Sequence, residues 1–250
     1  MKSLLNKTAL VTGGNRGIGR GIVLALAAVG ANVAFTYNSN EAQAQLLREE
    51  LAAKGATALS LKMASEKRAD VLQVLEKTKQ AFGPVDILVN NAAIAQEKSF
   101  ETITDDDWNR MMDVNLRGPF TCAQEVLPGM LKLGWGRIVN ISSIGGQWGG
   151  FNQVHYAASK AGLLNLTRSL AKIYSDRGIT SNAVSPGLVA TEMSAKELES
   201  EEGKDKITGI PMGRIGMVRE IADIVVFLAS DKASYITGQT INANGGMYFD

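Results

Sequence analysis

The chain has 250 residues, of which 45% are hydrophobic and 20% charged, a composition typical of a globular protein with a substantial core. Its 26 basic and 25 acidic side chains leave a net charge of +1, which gives no overall field to attract nucleic acid or an anionic membrane surface. One cysteine and one histidine exclude an internal disulfide and leave a zinc site short of ligands, so we expect no metal and a reducing, cytoplasmic setting.

Short strands rich in β-branched residues are predicted to alternate with longer amphipathic helices. The predicted strands are 8–13, 32–37, 58–63, 85–91, 136–143, 180–186 and 238–243. The predicted helices begin near 17 and 41, cover 68–82, run from 105 through 116 and beyond, and cover 156–176 and 219–230. This alternation predicts a single α/β domain over 1–250, a Rossmann-like doubly wound parallel sheet with helices on both faces.

Residues 191–213 interrupt the alternation with a segment dense in charge. Two interpretations stay open, a solvated helical excursion and a substrate lid. The position favours the lid, because insertions after the carboxyl end of a strand face the ligand crevice. No apolar run reaches the roughly 18 residues of a membrane span, and the N-terminal run is too short for a signal peptide. We therefore expect a soluble chain without a membrane partner, with Cys122 packed on a helix rather than reactive.

A glycine-rich loop, VTGGNRGIGRG, follows the first strand and opens the first helix. It places Gly13, Gly17 and Gly19 in the spacing TGxxxGxG. Glycines let the backbone turn sharply and approach a pyrophosphate, which then lies at the positive end of the helix. A tight strand-to-helix turn would account for the same pattern, so the loop alone is weak support for a dinucleotide site.

The end of the second strand bears on the choice of dinucleotide. NAD-binding proteins place an acidic residue there for the ribose hydroxyls, whereas this chain has Tyr37-Asn38-Ser39. Arg16, inside the glycine loop, offers a guanidinium for the 2′-phosphate of NADP. We therefore predict NADPH/NADP+ as cofactor, and assign the nearest carboxylate, Glu41, to the first turn of a helix capped by Ser39 or Asn40.

Six motifs in register extend the pattern over essentially the whole chain. They are the glycine loop, NNAA at 90–93, Asn115, NISS at 140–143, Tyr156-x-x-x-Lys160 and SPG at 185–187. Together they resemble the short-chain dehydrogenase/reductase family, most closely its 3-oxoacyl-[acyl-carrier-protein] reductases and acetoacetyl-CoA reductases. The resemblance implies NADPH-dependent reduction of a 3-oxoacyl thioester in fatty acid or lipid metabolism. It also implies a homotetramer with helices around 107–133 and 153–176 at the interface.

The resemblance makes Tyr156 the general acid that protonates the substrate carbonyl. Lowering a tyrosine pKa from about 10 to about 7 requires ~4 kcal/mol, and a Lys⁺ about 5 Å away supplies ~3 kcal/mol at an effective dielectric of about 20. Lys160 lies at i+4, on the same helix face, and the family also uses this lysine to bind the nicotinamide ribose. Ser143 resembles the hydroxyl that orients the substrate, with Ser142 facing the opposite way. Asn115 resembles the asparagine that holds a water in a relay to the lysine, with a helix break expected at Gly118-Pro119.

The remaining sites are assigned on the same resemblance. The predicted cofactor contacts are Gly13, Asn15, Arg16, Gly17, Ile18, Gly19, Tyr37, Asn38, Ser39, Ala64, Ser65, Asn91, Ala92, Tyr156, Lys160, Pro186, Gly187, Val189 and Thr191. The predicted substrate contacts are Ser143, Gln153 and Tyr156. Two positions depart from the family. Ala93 replaces a usual glycine and should require a negative φ, and Ala64 has no side-chain acceptor for adenine.

The loop 144–155 offers Gln147, Trp148, Phe151 and Gln153 to the substrate, although all four could equally pack the loop. A basic surface for an acidic carrier is only partly present, because Arg177 matches one family arginine and Gly134 stands where another would be. Two alternatives remain, a reductase of sugars, polyols or other small ketones, and a non-catalytic NADP sensor or scaffold.

The single histidine, His155, precedes the proposed acid directly. Successive helical residues point about 100° apart, so His155 cannot share the face of Tyr156 and Lys160. We therefore expect it to pack in the pocket wall or the loop rather than to donate the proton.

Overall fold

A seven-stranded parallel sheet forms the centre of the structure, a computed structural model that describes residues 3–191 and 207–249. The strands are β1 Thr8–Val11, β2 Asn32–Tyr37, β3 Ala58–Lys62, β4 Ile87–Asn90, β5 Gly136–Ile141, β6 Ile179–Pro186, β7 Val189–Ala190, β8 Gly216–Met217 and β9 Thr240–Ala243. In the central sheet they lie in the order β3-β2-β1-β4-β5-β6-β9, while β7 pairs with β8 alone. The strand order reverses between β1 and β4, which creates the crevice where ligands bind in such folds.

Helices cover both faces of the sheet. They are α1 Gly17–Ala28, α2 Glu41–Ala53, α3 Arg68–Phe82, α4 Asp105–Met112, α5 Gly118–Leu133, α6 Gly145–Trp148, α7 Val154–Tyr174 and α8 Val218–Ala229. Buried residues of α1, α2 and α8 form one core cluster with the sheet, and those of α3 and α5 form the other, against which α7 packs. The predicted doubly wound α/β fold is confirmed.

The strands are apolar on both sides because each face meets a helical layer. Ala9 and Val11 belong to one core cluster, and Leu10 between them belongs to the other. Side chains alternate across a strand, so both faces of β1 must be apolar. Cys122 lies buried in the second cluster, and burial raises the pKa of its thiol to about 12. The prediction that it packs rather than reacts is in agreement with this environment.

The predicted helix break at Gly118-Pro119 is wrong. Residues Asp113–Arg117 form a π-helical turn, and the chain continues from it into α5 without interruption. In this turn the Gly118 N–H donates to the Asp113 carbonyl, five residues earlier. Pro119 lacks the N–H that would continue the α-helical pattern, and the wider turn absorbs this loss without a break.

The remaining boundaries differ by one or two residues. β1, β4 and β5 end before the predicted strands do, because the polar residues that follow them enter the loops of the crevice, and β3 ends one residue early, before the buried Met63. The predicted lid, 191–213, stays a prediction, since residues 192–206 lie outside the described residues. Within the described ranges, no helix has the length and apolar content needed to cross a membrane.

A ladder of buried polar side chains ties α7 to the sheet. Asn90 of β4 donates its side-chain amide to Asn140 Oδ1 on β5 at 2.8 Å. Asn140 in turn donates to Thr167 Oγ1 on α7, also at 2.8 Å. All three residues are buried, so water cannot readily replace these hydrogen bonds. The ladder therefore fixes the distance between α7 and the strands.

Replacing Asn140 with alanine should lower the free energy of unfolding by about 2–3 kcal/mol, because two buried polar partners lose their hydrogen bonds. Urea titration followed by circular dichroism measures this change. The matched control is Asn109→Ala on the exposed side of α4, which should cost no more than about 0.5 kcal/mol. Equal effects of the two substitutions would contradict the importance of the ladder.

Candidate active site

The glycine loop packs against the end of β4 with no room for side chains. A Cβ at Gly19 would lie 2.3 Å from the Gly13 carbonyl oxygen and 2.5 Å from Asn91 Nδ2. A Cβ at Gly13, where φ is +63°, would lie 2.9 Å from Ala92 Cα. The backbone therefore lies open to a ligand at the N-terminus of α1, where N–H groups and the helix dipole attract anions.

Thr12, which the sequence analysis did not single out as a contact, holds the loop in place. Its Oγ1 accepts hydrogen bonds from the N–H groups of Asn91 and Ala92, both at 3.0 Å. The Asn91 side chain donates back to the carbonyls of Thr12 and Gly13 at 3.0 and 2.9 Å. The predicted cofactor residues Asn91 and Ala92 thus lie beside the glycine loop. A threonine directly before the first glycine was the available signal.

The charges around the end of β2 favour a phosphate over a free ribose. Arg16 is exposed at the start of α1 and forms no ion pair with any residue that the structure describes. Burial, together with the charge of the neighbouring Glu41 carboxylate, raises the pKa of Tyr37. Asn40, rather than Ser39, caps α2 by accepting from the Gln43 N–H at 3.1 Å. These residues fit a dinucleotide with a 2′-phosphate.

The end of β3 is arranged differently from the usual family pattern. The Ala64 N–H donates to Asp70 Oδ2 at 3.0 Å, and the Ala64 carbonyl accepts from the Lys67 N–H at 2.9 Å. Ser65 is buried against Gly118, where a Cβ would lie 3.0 Å from Ser65 Oγ. Both backbone groups of Ala64 therefore already have a partner. Ala93 has the expected negative φ, since the positive-φ residues other than glycine in the described chain are Asn6 and Asn152.

The segment after β6 closes the crevice from the other side. A Cβ at Gly187 would lie 2.9 Å from Asn244 Cα, so Pro186-Gly187 packs directly on the end of β9. Val189 lies in β7, and Thr191 reaches Gly17, with its Cγ2 3.7 Å from a Cβ built there. The segment predicted to contact the nicotinamide thus adjoins the glycine loop.

Ser143 and Tyr156 face the same point at the carboxyl end of β5, since Ser143 Oγ and Tyr156 Cε1 lie 3.6 and 4.0 Å from a Cβ built at Gly145. Ser143 lies two residues beyond the strand end, and Tyr156 lies in the first turn of α7. Burial raises the pKa of Tyr156, and the nearby Ser143 hydroxyl opposes this shift. This rise is opposite to the lowering expected from Lys160. Removing a phenolate from water costs more free energy than the neighbouring polar groups return.

Lys160 is buried, with 3% of its surface exposed, and burial lowers its pKa to about 8. Its Nζ donates to the Ile141 carbonyl at 2.8 Å and lies 5.7 Å from the centre of the Tyr156 ring. The predicted i, i+4 pair is therefore present as a spatial pair. Ser142 faces away, as expected, and donates to the Lys160 carbonyl at 3.1 Å.

Asn115 lies fully buried in the π-helical turn. Its side chain exchanges two hydrogen bonds of 2.9 Å with the Ile94 backbone and donates to Ser159 Oγ at 3.2 Å. Ser159 Oγ donates to the Tyr156 carbonyl at 2.7 Å. The Asn115 side chain thus braces α7. The Asn115 backbone carbonyl lacks an α-helical donor, because the residue four positions later is Pro119, which has no N–H.

The side chains offered to the substrate are divided between packing and exposure. Gln147 accepts from Ser185 Oγ at 2.6 Å, and Trp148 packs edge-on against Tyr248 with ring centres 6.5 Å apart. Gln153 donates to Glu97 at 3.1 Å. Phe151 is fully exposed. The first two therefore have a packing role.

Known proteins match nearly the whole of this chain. A family model described as enoyl-(acyl carrier protein) reductase matches residues 13–248. The chain is 43% identical over 245 residues to the Staphylococcus epidermidis protein named 3-oxoacyl-[acyl-carrier-protein] reductase FabG, covering 98% of this chain and 100% of that protein. It is also 43% identical, with the same coverage, to acetoacetyl-CoA reductase of Rhizobium meliloti. The solved structure of a blue fluorescent protein from a metagenomic library in complex with NADPH superposes with a TM-score of 0.93 at 41% identity, covering 99% of this chain and 100% of that one.

The depressed pKa of Lys160 predicts a pH-dependent stability. Between pH 8 and 10.5 the unfolded chain keeps a proton that the folded chain has released, so the free energy of unfolding rises with pH. Relative to Lys160→Met, the wild type should gain about 2 kcal/mol between about pH 7.5 and 9.5. Urea titrations at the two pH values measure the difference, and parallel behaviour of the two proteins would contradict the shift.

Proposed function

Because the chain belongs to the short-chain dehydrogenase/reductase family of oxidoreductases, we propose that it uses NADPH to reduce the 3-oxo group of an acyl thioester to the 3-hydroxyl. The observation that carries the proposal is the convergence of the Ser143 and Tyr156 side chains on one point, beside the buried Lys160. Two relatives that match almost the whole chain are named for this carbonyl chemistry, one on acyl carrier protein and the other on CoA.

Tyr156 serves as the proton donor in this proposal. When bound, NADPH would supply the hydride for the carbonyl carbon. Since burial raises the pKa of Tyr156, its hydroxyl keeps its proton at neutral pH and can give it to the carbonyl oxygen. Ser143, whose Oγ faces the same point as the Tyr156 ring, offers a second hydroxyl that can orient this oxygen.

Lys160 stabilises the phenolate that this transfer leaves behind. With a pKa of about 8 the lysine is mostly charged at pH 7, and its Nζ lies 5.7 Å from the centre of the Tyr156 ring. A positive charge about 5 Å away is worth ~3 kcal/mol to the phenolate at an effective dielectric of about 20. The Asn115 carbonyl, without an α-helical donor, supports the proposal that a water there connects Lys160 to solvent for reprotonation.

Arg16 carries the preference for NADPH over NADH. It has no ion-pair partner among the described residues, whereas the nearby Arg20 pairs with Glu50. The first carboxylate after β2 in the chain is Glu41, and it interacts with the Tyr37 hydroxyl. An unpaired guanidinium and an engaged carboxylate together favour the additional phosphate.

Substrate screening tests the thioester assignment. Acetoacetyl-CoA and an acetoacetyl carrier protein should be reduced with NADPH, while a 2-enoyl thioester, which has no 3-oxo group, should not. Turnover of simple ketones, sugars or polyols alone would identify a different carbonyl reductase. NADPH binding without turnover of any carbonyl would identify a sensor or scaffold.

Assembly and location belong to the same proposal. An apolar groove lined by Met112, Leu116, Phe120 and Leu166 lies on the helices expected at the interface of a homotetramer. Phe120 is 43% exposed there, which favours burial against another subunit. The cytoplasm remains our prediction for the location, and sedimentation of the purified protein tests the tetramer.

Exchanging Tyr156 for phenylalanine should reduce kcat at least ~10³-fold, since the proton donor is lost and the ring remains. NADPH binding, followed by the fluorescence of the nicotinamide, should not change. The control is Tyr235→Phe, which removes an exposed hydroxyl. Retained activity would contradict the mechanism.

Exchanging Arg16 for alanine should weaken NADPH binding about 10- to 100-fold, the value of a charge-assisted bond, and leave NADH binding unchanged. Arg20→Ala is the matched control. It removes the same charge one helical turn away from Arg16, but from an arginine that already pairs with Glu50. A loss shared equally by both coenzymes would show that Arg16 does not contact the 2′-phosphate.

A further inference from the structure

His155 is completely buried beside the proposed acid, although the mechanism above does not use it. Its Nε2 lies 2.9 Å from Gln96 Oε1, and its Nδ1 is buried without a partner among the described residues. An unpaired buried nitrogen is unfavourable, so an apolar residue would fill this space at less cost. Packing alone therefore does not account for the imidazole, although packing was the expectation from the sequence.

Asp107 determines how the neighbouring Gln96 is oriented. Lys98 and the backbone N–H and hydroxyl of Thr104 all donate to Asp107 Oδ2, and these bonds hold the pKa of Asp107 far below its usual range. An ionised carboxylate can only accept, so the group bonded to Asp107 Oδ1 at 2.9 Å is the Gln96 amide nitrogen. The Gln96 oxygen then faces His155, and His155 Nε2 must be the donor.

We propose that Asp107 and Gln96 hold His155 in its Nε2–H form, and that His155 is thereby the positioning residue of Tyr156. The neutral imidazole has one N–H, and this chain of acceptors places it on Nε2. The proposal rests on the proposed function, because it assigns His155 to the placement of the acid of that reaction.

The start of α7 shows why such a residue is needed. No side chain caps this helix, although its first turn carries Tyr156. The turn is instead held from the segment 94–104, which follows β4. Besides the His155–Gln96 bond, the Lys98 N–H donates to the Asn152 carbonyl at 2.7 Å, and Gln153 donates to Glu97. Of the residues at the start of α7 that make these contacts, His155 is the fully buried one, and it directly precedes Tyr156.

The tautomer can be read without any substrate, because the chain contains a single histidine. Protein labelled with ¹⁵N-histidine should give one pair of ring-nitrogen resonances, with the hydrogen on Nε2 and the unprotonated signal on Nδ1. In Gln96→Leu, which removes the acceptor, the signals should no longer report a fixed Nε2–H form. A hydrogen on Nδ1 in the wild type would overturn the proposal.

Kinetics test the positioning. His155→Leu and Gln96→Leu should each lower kcat at least ~10-fold, while His155→Gln, whose amide can reach the place of Nε2, should stay within about threefold of the wild type. The KM for NADPH should not change in any of them, since the cofactor site is not touched. Unchanged kcat in both leucine variants would overturn the proposal, as would an equal fall in His155→Gln.

Two controls keep these results separate from others. Circular dichroism and NADPH binding show whether each variant is folded. If His155→Leu is not folded, the kcat of Gln96→Leu tests the proposal. If no thioester is reduced but another carbonyl is, the same kcat comparison is made with that substrate. That result would contradict the proposed substrate, whereas the ¹⁵N signals and the kcat comparison would still test the role of His155.

Discussion

The burial of the Lys160 amine constrains the rest of the active site. An ammonium group away from water must have partners, and the Ile141 carbonyl at the end of β5 supplies one at 2.8 Å. α6 must then pass close by without a side chain, because a Cβ at Gly146 would lie 2.8 Å from the Lys160 carbonyl carbon. The same helix that holds the lysine presents Tyr156 one turn earlier. The position of the acid is thus coupled to the end of a central strand.

The cofactor side of the crevice depends on the absence of side chains rather than on their presence. Gly13 and Gly19 let β1, α1 and the end of β4 approach each other until a single methyl group would collide. Thr12 and Asn91 then exchange hydrogen bonds across that contact. This packing leaves the backbone N–H groups at the start of α1 available to phosphate oxygens, and in the proposed function the exposed Arg16 selects for the 2′-phosphate.

The substrate side is held together by loops. The segments after β4 and β5 are joined by side chains that are far apart in sequence, such as Gln96 with His155 and Glu97 with Gln153. These contacts hold the start of α7, and none of them involves a strand of the central sheet. The site proposed for the substrate therefore lies among loops that a rigid sheet supports.

The sequence by itself determined the parallel α/β fold, the glycine loop and the spacing of Tyr156 and Lys160, because strand and helix periodicities and the i, i+4 rule are local. Only the tertiary structure decided that the Asn115 region is a π-helical turn, that Asp70 engages the Ala64 backbone and that Gln96 reaches His155. It also decided the direction of the Tyr156 pKa, since burial raises this pKa more than the neighbouring Ser143 hydroxyl lowers it. Burial and contacts between distant segments arise from packing in three dimensions, which local sequence patterns do not encode.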